Sequence, residues 1–224
     1  TKLYPSTLPD LFKGEQLVLA GRYSGKGDTA VIVEGTVNGT AGKFTYEVSF
    51  PEDASDNEFI PRLWATRRVG YLLDEIRLHG DSAELRDEVT ELARKYSIVT
   101  PYTAYLILED ETHRNVPMPT RSLQRFGGDL GARKEAEQAW SAYSRNRVGD
   151  EAVANARQGQ LFKSADAAAP AAVNGLSESR RALGLAGGSG GATTASPAEK
   201  SKERLVEYSQ QAQFVAGKSF FQND

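Results

Sequence analysis

The chain has 224 residues, a formal net charge of −3 and no cysteine. The missing cysteines exclude disulfides, thiol catalysis and cysteine-ligated zinc, and the two histidines, His79 and His113, are too few for a multi-histidine metal site. The acidic balance predicts no nucleic-acid partner, and no apolar run approaches the roughly 20 residues of a membrane-spanning helix. Because the chain begins at Thr1 rather than Met, we interpret it as an excised or processed piece of a longer protein.

Residues 16–50 carry the pattern of a three-stranded antiparallel β-meander. Gln16–Tyr23 and Thr29–Val37 are strand candidates, the second because it is rich in β-branched residues. Asn38–Gly39 supplies the positive φ angles of a tight hairpin turn, and residues 44–50 then alternate between apolar and polar side chains. We expect the apolar face of this meander to need a cover from helices or from sequence outside this chain.

Two helices follow, because the apolar spacing changes from alternation to the helical period. Their apolar stripes are Ala65, Val69, Leu72, Leu73 and Ile76, then Leu85, Val89, Leu92, Ala93 and Tyr96. Gly80 suits the left-handed position after the first helix, and the short connection predicts an antiparallel helical hairpin. We expect Ala104–Leu108 to form a short closing strand.

The second half of the chain differs in charge and composition. Residues 1–110 contain 12 Lys and Arg against 18 Asp and Glu, a net charge of −6, whereas residues 111–224 contain 15 against 12, a net charge of +3. The stretch 165–198 is rich in Ala, Gly and Ser, and we expect a linker there because it has little apolar surface to offset the loss of chain entropy.

The sequence therefore predicts an α+β fold: an antiparallel β-meander, then an antiparallel helical hairpin, then a long, largely irregular C-terminal tail. The predicted units are residues 1–110 for the meander and helical hairpin, 111–164 for a linker with a helix candidate at 130–162, 165–198 for a low-complexity linker, and 199–224 for a short helix and a truncated hairpin.

Three motifs resemble sites of chemistry, and each has a simpler structural explanation. Gly21–Gly27 resembles a phosphate-binding loop, but it lacks the Ser or Thr after Lys26 and runs into a strand, which is typical of a hairpin loop. Gly187–Gly191 matches the nucleophile-elbow pattern around Ser189 but lies in low-complexity sequence. Paired carboxylates such as Asp74–Glu75 are typical of a salt-bridged helix surface.

An acidic segment beginning at Asp53 resembles the metal-binding loop of von Willebrand A domains. Asn57 stands at the third ligand position and Pro51 interrupts the approach, so the cluster is more simply a helix-capping turn. Asp53, Ser55 and Asp56 are the candidate metal ligands, and Ca²⁺ is the ion that such oxygen ligands would bind. We predict no catalytic residue and no cofactor.

Two further segments resemble a known family. The run 59–80 (FIPRLWATRRVGYLLDEIRLHG) and the run 91–106 (ELARKYSIVTPYTAYL) are similar to the region that follows the von Willebrand A domain in the inter-alpha-trypsin inhibitor heavy-chain family. Residues 11–21 (LFKGEQLVLAG) resemble the first strand after that domain. The likeness covers about residues 3–109 and points to bacterial proteins with paired VIT and von Willebrand A domains.

The resemblance implies a non-catalytic accessory region that supports protein–protein interaction or adhesion in a secreted, periplasmic or envelope-associated protein. In that family the strands after the A domain pack with the VIT β-sandwich, so the expected partners are the VIT and von Willebrand A domains of the same protein. Neither domain lies in this chain, and no metal ligand of the family has a counterpart here. The residues expected to matter are structural: Trp64, Leu72, Leu73, Ile76, Tyr96 and Tyr102.

Two other hypotheses stay open. A stand-alone binding module would use its basic tail to meet an acidic surface. The basic residues in question are Arg121, Arg125, Arg133 and Lys134. A hydrolase or nucleotide-binding enzyme would instead place Ser189 or Lys26 in a pocket beside a base or a helix N-terminus.

Overall fold

The structure is a computed structural model that describes residues 3–52, 57, 59–114, 121–185 and 196–213. Its described part is α+β, with two separate pairs of antiparallel strands near the N-terminus followed by eight helices. The predicted fold class is therefore confirmed at the level of α+β, whereas the arrangement of the elements differs in several places.

The first strand pair joins β1 (Leu3–Tyr4) to β2 (Ala20–Gly21). Tyr4 and Ala20 are buried, and the Tyr4 ring lies 4.8 Å from the Tyr71 ring, centroid to centroid. The predicted strand Gln16–Tyr23 is thus reduced to two residues that pair with the N-terminal segment. The expected three-stranded meander does not form, because the guanidinium of Arg67 binds the carbonyls of Tyr4 and Val18 and holds both segments on the first helix.

The second pair is a long hairpin made of β3 (Gly27–Val37) and β4 (Thr40–Phe50). Asn38 and Gly39 form its turn with φ angles of 50° and 80°, as the Asn-Gly sequence predicts. The two strands twist around each other without a third strand beside them in the described part of the chain.

Helices α1 (Phe59–His79) and α2 (Ala83–Tyr96) pack against each other. Gly80 follows α1 with φ of 104°, and the Ser82 side chain caps α2 by accepting from the Leu85 amide. Among the residues expected to be structural, Trp64, Leu72, Leu73, Ile76 and Tyr102 are buried, and Tyr96 is half-buried.

The next element is helix α3 (Pro101–Arg114), and the predicted strand Ala104–Leu108 lies inside it. Thr100 and Thr103 begin the helix by exchanging hydrogen bonds: each side-chain oxygen accepts from the other residue's amide, at 3.2 and 2.7 Å. Proline is also favoured in the first turn of a helix. The segment was misinterpreted because it is buried almost all round, so it lacks the polar face that marks an amphipathic helix.

The C-terminal half is helical where the structure describes it, which corrects the prediction of a largely irregular tail. Its helices are α4 (Arg121–Gly128), α5 (Leu130–Arg145), α6 (Asp150–Lys163), α7 (Ala168–Ala182) and α8 (Pro197–Gln213). The helix expected at 130–162 is two helices, because the chain turns at Gly149 with φ of 94°. Helix α7 lies within the stretch predicted as a linker, and the truncated hairpin expected after α8 lies outside the described residues.

Small residues explain how this tail packs. Phe162 on α6 is fully buried between Gly70 on α1 and Gly175 on α7. A Cβ atom at Gly70 would lie 2.7 Å from the Phe162 Cβ, and one at Gly175 would lie 2.5 Å from its ring. The glycines therefore let three helix backbones approach one aromatic side chain, and a composition that predicts a linker instead forms part of the core.

Candidate interaction surface

The two faces of the β3–β4 hairpin differ completely in charge. In an antiparallel pair, residues directly opposite each other project from the same face. Val31 lies opposite Tyr46 and Val33 lies opposite Phe44. The apolar hairpin face consists of Val31, Val33, Val37, Phe44, Tyr46, Val48 and Phe50. All charged residues of the two strands project from the other face, and they are Asp28, Glu34, Lys43 and Glu47.

No residue of β3 or β4 is buried. On the apolar hairpin face, Tyr46 is 56% exposed, Phe44 50% and Val37 55%. Exposed apolar side chains are thus contiguous along this face, and the largest apolar patch on a protein is often functional. The described helices therefore do not supply the cover that the apolar face of the predicted meander needs.

The backbone edges of the hairpin add a second means of binding. Among the described residues, β3 and β4 pair only with each other, so each strand has one edge whose amides and carbonyls have no strand partner. An exposed edge of eleven residues is a template for an added strand. The hairpin therefore combines an apolar face with two edges that are open to pairing.

The base of the hairpin is held by aromatic contacts. The rings of Tyr23 and Phe50 lie 4.5 Å apart, and the Tyr23 hydroxyl donates to the Pro51 carbonyl at 2.9 Å. An open groove of about 860 Å³ lies where this base meets α1 and α2. Trp64 lines the groove with the Arg22 guanidinium 5.4 Å from its ring centroid. The groove has a mixed lining, with aromatic rings such as Phe50 and Trp64 beside the charged side chains of Glu91 and Lys95.

The surroundings of Lys26 do not form a phosphate-binding site, and the nucleophile-elbow motif cannot be compared with the structure. Lys26 is exposed and forms an ion pair with Glu52 at the hairpin base, in open solvent rather than beside a helix N-terminus. Ser189 lies outside the described residues. The geometry around Lys26 thus lacks the oriented amides that bind phosphate.

The candidate metal ligands Asp53, Ser55 and Asp56 also lie outside the described residues. Within residues 3–52, 57, 59–114, 121–185 and 196–213, no group of three or more His, Asp or Glu side chains is arranged to hold a metal ion. The structure therefore gives no geometry for a calcium site.

The neighbouring carboxylates Asp74 and Glu75 on α1 are both engaged in polar contacts, one of them with a distant helix. Asp74 accepts from Arg77 and from Lys163 of α6, the latter at 2.7 Å. Burial acts to raise the pKa of Asp74, but the hydrogen bonds from Lys163 and Arg77 outweigh it and hold the pKa below its usual value. Glu75 pairs with His79 at 2.9 Å, so these carboxylates stabilise the helices.

The basic residues of the second half are spread over two helices. Arg121 and Arg125 lie on α4, and Arg133 and Lys134 lie on α5. Arg133 is half-buried and donates to the Gly127 carbonyl at 3.4 Å, whereas the other three are exposed. Arg133 and Lys134 line an open pocket together with the carboxylates of Glu109 and Glu137, so opposite charges lie beside this pair of cations.

Sequence reasoning missed the long-range polar contacts. Arg67 is 2% exposed, and Asp129 on α5 binds Arg204 on α8. The sequence shows that Arg67 and Asp129 are charged, but it does not show their partners, which lie 98 and 75 positions away in the chain. No local pattern identifies such pairs.

Comparisons with protein-family models, with curated proteins and with solved structures gave no match to this chain. In the described part of the chain, no helix combines the length and the apolar composition that crossing a membrane requires.

Proposed function

We propose that this chain is a non-catalytic accessory region of a VIT–von Willebrand A type protein, in which the apolar hairpin face docks on an apolar β-sheet of the same protein. The observation that carries the proposal is the separation of the hairpin into one uncharged apolar face and one face with every charge. This separation is typical of an outer strand pair of a β-sandwich, whose inner face packs on a second sheet about 10 Å away.

The small size of the face favours a partner in the same polypeptide. Eleven-residue strands are about 36 Å long, and two of them span about 10 Å, which gives an area of roughly 350 Å². A stable interface between separate proteins usually buries about 800 Å² on each side. A tethered partner needs less area, because tethering raises its effective concentration to the millimolar range.

The helices would hold the hairpin in place. Its base contacts the groove lined by Trp64, and Trp64 belongs to α1, the helix that packs against α2, α5, α6 and α7. The resemblance of residues 3–109 to the region after the A domain supports a place in a bacterial cell envelope, and a cysteine-free composition is compatible with that place.

Hydrogen exchange tests this proposal in the intact gene product and in this chain alone. We expect the amides of β3 and β4 to exchange at least ten times more slowly in the intact product, because a second sheet covers them there. Equal exchange in the two samples would overturn the proposal, as would an intact product without VIT and von Willebrand A domains.

Substitutions identify the face that docks. Phe44→Glu with Tyr46→Glu places charge on the apolar hairpin face, and Ile32→Glu with Thr45→Glu is the matched control on the other face. We expect the first pair to remove the protection of the hairpin amides in the intact product and the control to keep it. Loss of protection in both variants, or in neither, contradicts the assignment of the face.

A further inference from the structure

Helix α8 presents a narrow buried stripe to the rest of the molecule. Ser201, Leu205, Ser209 and Ala212 recur at intervals of four, four and three residues and are at most 8% exposed, and Val206 beside them is 2% exposed. Only two of these side chains are large and apolar. The opposite side of the helix is polar and exposed, so α8 is an amphipathic helix docked through one face.

The docking groove is formed mainly by α4 and α5. Leu123 and Phe126 on α4 belong to the same hydrophobic cluster as Leu205 and Val206. The ring of Phe126 lies 6.1 Å from the ring of Tyr208 on α8. An amphipathic helix lying in an apolar groove is a common mode of recognition between separate chains.

A polar latch fixes the position of α8 in this groove. Arg204 donates from Nε to one oxygen of Asp129 at 2.6 Å and from a terminal nitrogen to the other at 3.1 Å. Tyr208 donates to the same carboxylate at 3.3 Å. Asp129 also caps α5 by accepting from the Ala132 amide at 3.0 Å, so one carboxylate joins the start of α5 to α8.

The helices approach closely beside the latch. A Cβ atom at Gly131 would lie 2.6 Å from the Ser201 hydroxyl oxygen and 3.2 Å from a guanidinium nitrogen of Arg204. The groove therefore selects a helix that carries a small residue three positions before an arginine. That pattern is the sequence of α8 itself.

The connection between α7 and α8 is ten residues long. Residues 186–195 contain only Ala, Gly, Ser and Thr. Ten residues can span at most about 36 Å, which sets the longest distance over which exchange between two molecules could take place.

We propose that the α4–α5 groove is a helix-binding site that accepts α8 from a second copy of this chain, giving a dimer by exchange of α8. The exchanged dimer keeps every contact of the docked helix, and the two forms therefore differ little in enthalpy. At micromolar concentration the monomer dominates, because the tethered helix has an effective concentration in the millimolar range. The dimer forms when docking within one chain is weakened and docking between chains is intact.

A charge-exchange experiment tests this directly in the full chain. Asp129→Arg places two arginines at the latch, and Arg204→Asp places two aspartates there, so each variant weakens docking of its own α8. When the two are mixed under mild denaturant and returned to native buffer, the Arg204→Asp helix finds an opposite charge in the Asp129→Arg groove. The other exchanged pair is the wild-type latch.

We expect light scattering to give a two-fold higher mass for the mixture than for either variant alone. The double variant Asp129→Arg/Arg204→Asp is the control, because its reversed latch closes within one chain and keeps the monomer mass. A mixture that stays monomeric while circular dichroism shows native helix content in both variants would overturn the proposal.

A peptide binding experiment keeps the test decisive if a variant folds poorly. A fluorescent peptide of residues 196–213 is added to the Asp129→Arg chain, and it carries either the natural sequence or Arg204→Asp. We expect the Arg204→Asp peptide to bind at least ten times more tightly. Equal binding, or no binding of either peptide, would show that the groove does not take α8 from another molecule.

Discussion

Arg67 on α1 donates from Nε to the carbonyl of Ala165 at 2.7 Å, and this bond joins positions 98 residues apart. The same guanidinium donates to the carbonyls of Tyr4 and Val18 at 2.8 and 2.6 Å. A single buried cation therefore holds the N-terminal segment, the central helix and the end of α6 together. Such a group satisfies three backbone acceptors that have little access to water.

Arg67→Met is expected to lower the free energy of unfolding by at least about 3 kcal/mol, because buried carbonyls without donors cost about 1–3 kcal/mol each. Urea unfolding followed by circular dichroism measures the change. Arg86→Met is the matched control, since Arg86 is more exposed and its nearest carboxylate oxygen is 3.4 Å away. The control is expected to change stability by less than about 1 kcal/mol, and equal losses would contradict the assigned role of Arg67.

Gly70→Ala is expected to destabilise the protein by about 1–3 kcal/mol, because an added Cβ would lie 2.7 Å from the Phe162 Cβ and 2.9 Å from the Lys163 amide nitrogen. Gly159→Ala on α6 is the control, since its nearest neighbour would be an Asp74 oxygen at 3.9 Å. Alanine is the better helix former, so the control is expected to gain up to about 1 kcal/mol. Thermal unfolding of both variants shows whether the two changes have opposite signs.

The buried tyrosines give a prediction about hydroxyl groups. Tyr102 donates to the side-chain oxygen of Asn155 at 2.6 Å, and both residues are 1% exposed. Burial raises the pKa of Tyr102 well above its usual value, so the hydroxyl remains a donor throughout the stable pH range. Tyr102→Phe is expected to cost about 1–3 kcal/mol, because Asn155 loses this donor in a dry environment.

Tyr143→Phe is the comparison for that experiment. The Tyr143 hydroxyl donates to the Leu73 carbonyl at 3.1 Å, within α1. That carbonyl can still accept its helical hydrogen bond, so the expected loss is only about 0.5–1.5 kcal/mol. Urea unfolding measures both losses in the free energy of unfolding. A larger loss for Tyr143→Phe than for Tyr102→Phe would contradict the prediction that the Tyr102 hydroxyl contributes more to stability.

Asp129 gives a prediction about pH. The hydrogen bonds from Arg204 lower the pKa of this carboxyl to about 2, against a usual value of 3.8. Because the pKa of Asp129 is lower in the folded than in the unfolded protein, its carboxylate stabilises the fold at pH values above the unfolded-state pKa. That stability is lost as the pH falls from about 4 towards 2. Because Arg204 is partly exposed, water screens the pair and we expect a contribution of about 1 kcal/mol.

Asp129→Asn isolates that contribution, since asparagine also caps helices but carries no charge. The variant is expected to be less stable than wild type at neutral pH and to lose less stability on acidification between about pH 4 and 3. Urea unfolding over this range provides the comparison. Parallel curves for the two proteins would mean that Asp129 does not contribute through its charge.

Local patterns predicted the elements whose neighbours are close in the chain. The Asn38–Gly39 turn, the alternation along β4 and the apolar stripes of α1 and α2 were all recognisable. The apolar face of the hairpin was also recognisable, because apolar and polar side chains alternate along β4. These features depend on backbone preferences and on periodicity, which a single sequence contains.

Features that depend on distant neighbours were misinterpreted or missed. The Ala- and Gly-rich sequence of α7 predicts a linker, because a segment without large apolar side chains has little apolar surface of its own to bury. In this protein the apolar volume comes from the Phe162 side chain on α6, and the absence of a side chain at Gly175 on α7 leaves room for its ring. Likewise, Gln16–Tyr23 was expected to pair with the next strand, whereas Arg67 binds the carbonyl of Val18 and holds this segment on α1.

The contacts of α1 also determine when the protein can finish folding during synthesis. Arg67 and Gly70 reach their partners only after Phe162 and Ala165 have left the ribosome. Protein synthesis adds about 5–20 residues per second. The apolar side of α1 therefore stays uncovered for roughly 5–20 s before α6 has been synthesised. A newly made N-terminal half therefore exposes the apolar side of α1 until α6 is synthesised, and exposed apolar surface of this kind promotes aggregation of unfinished chains.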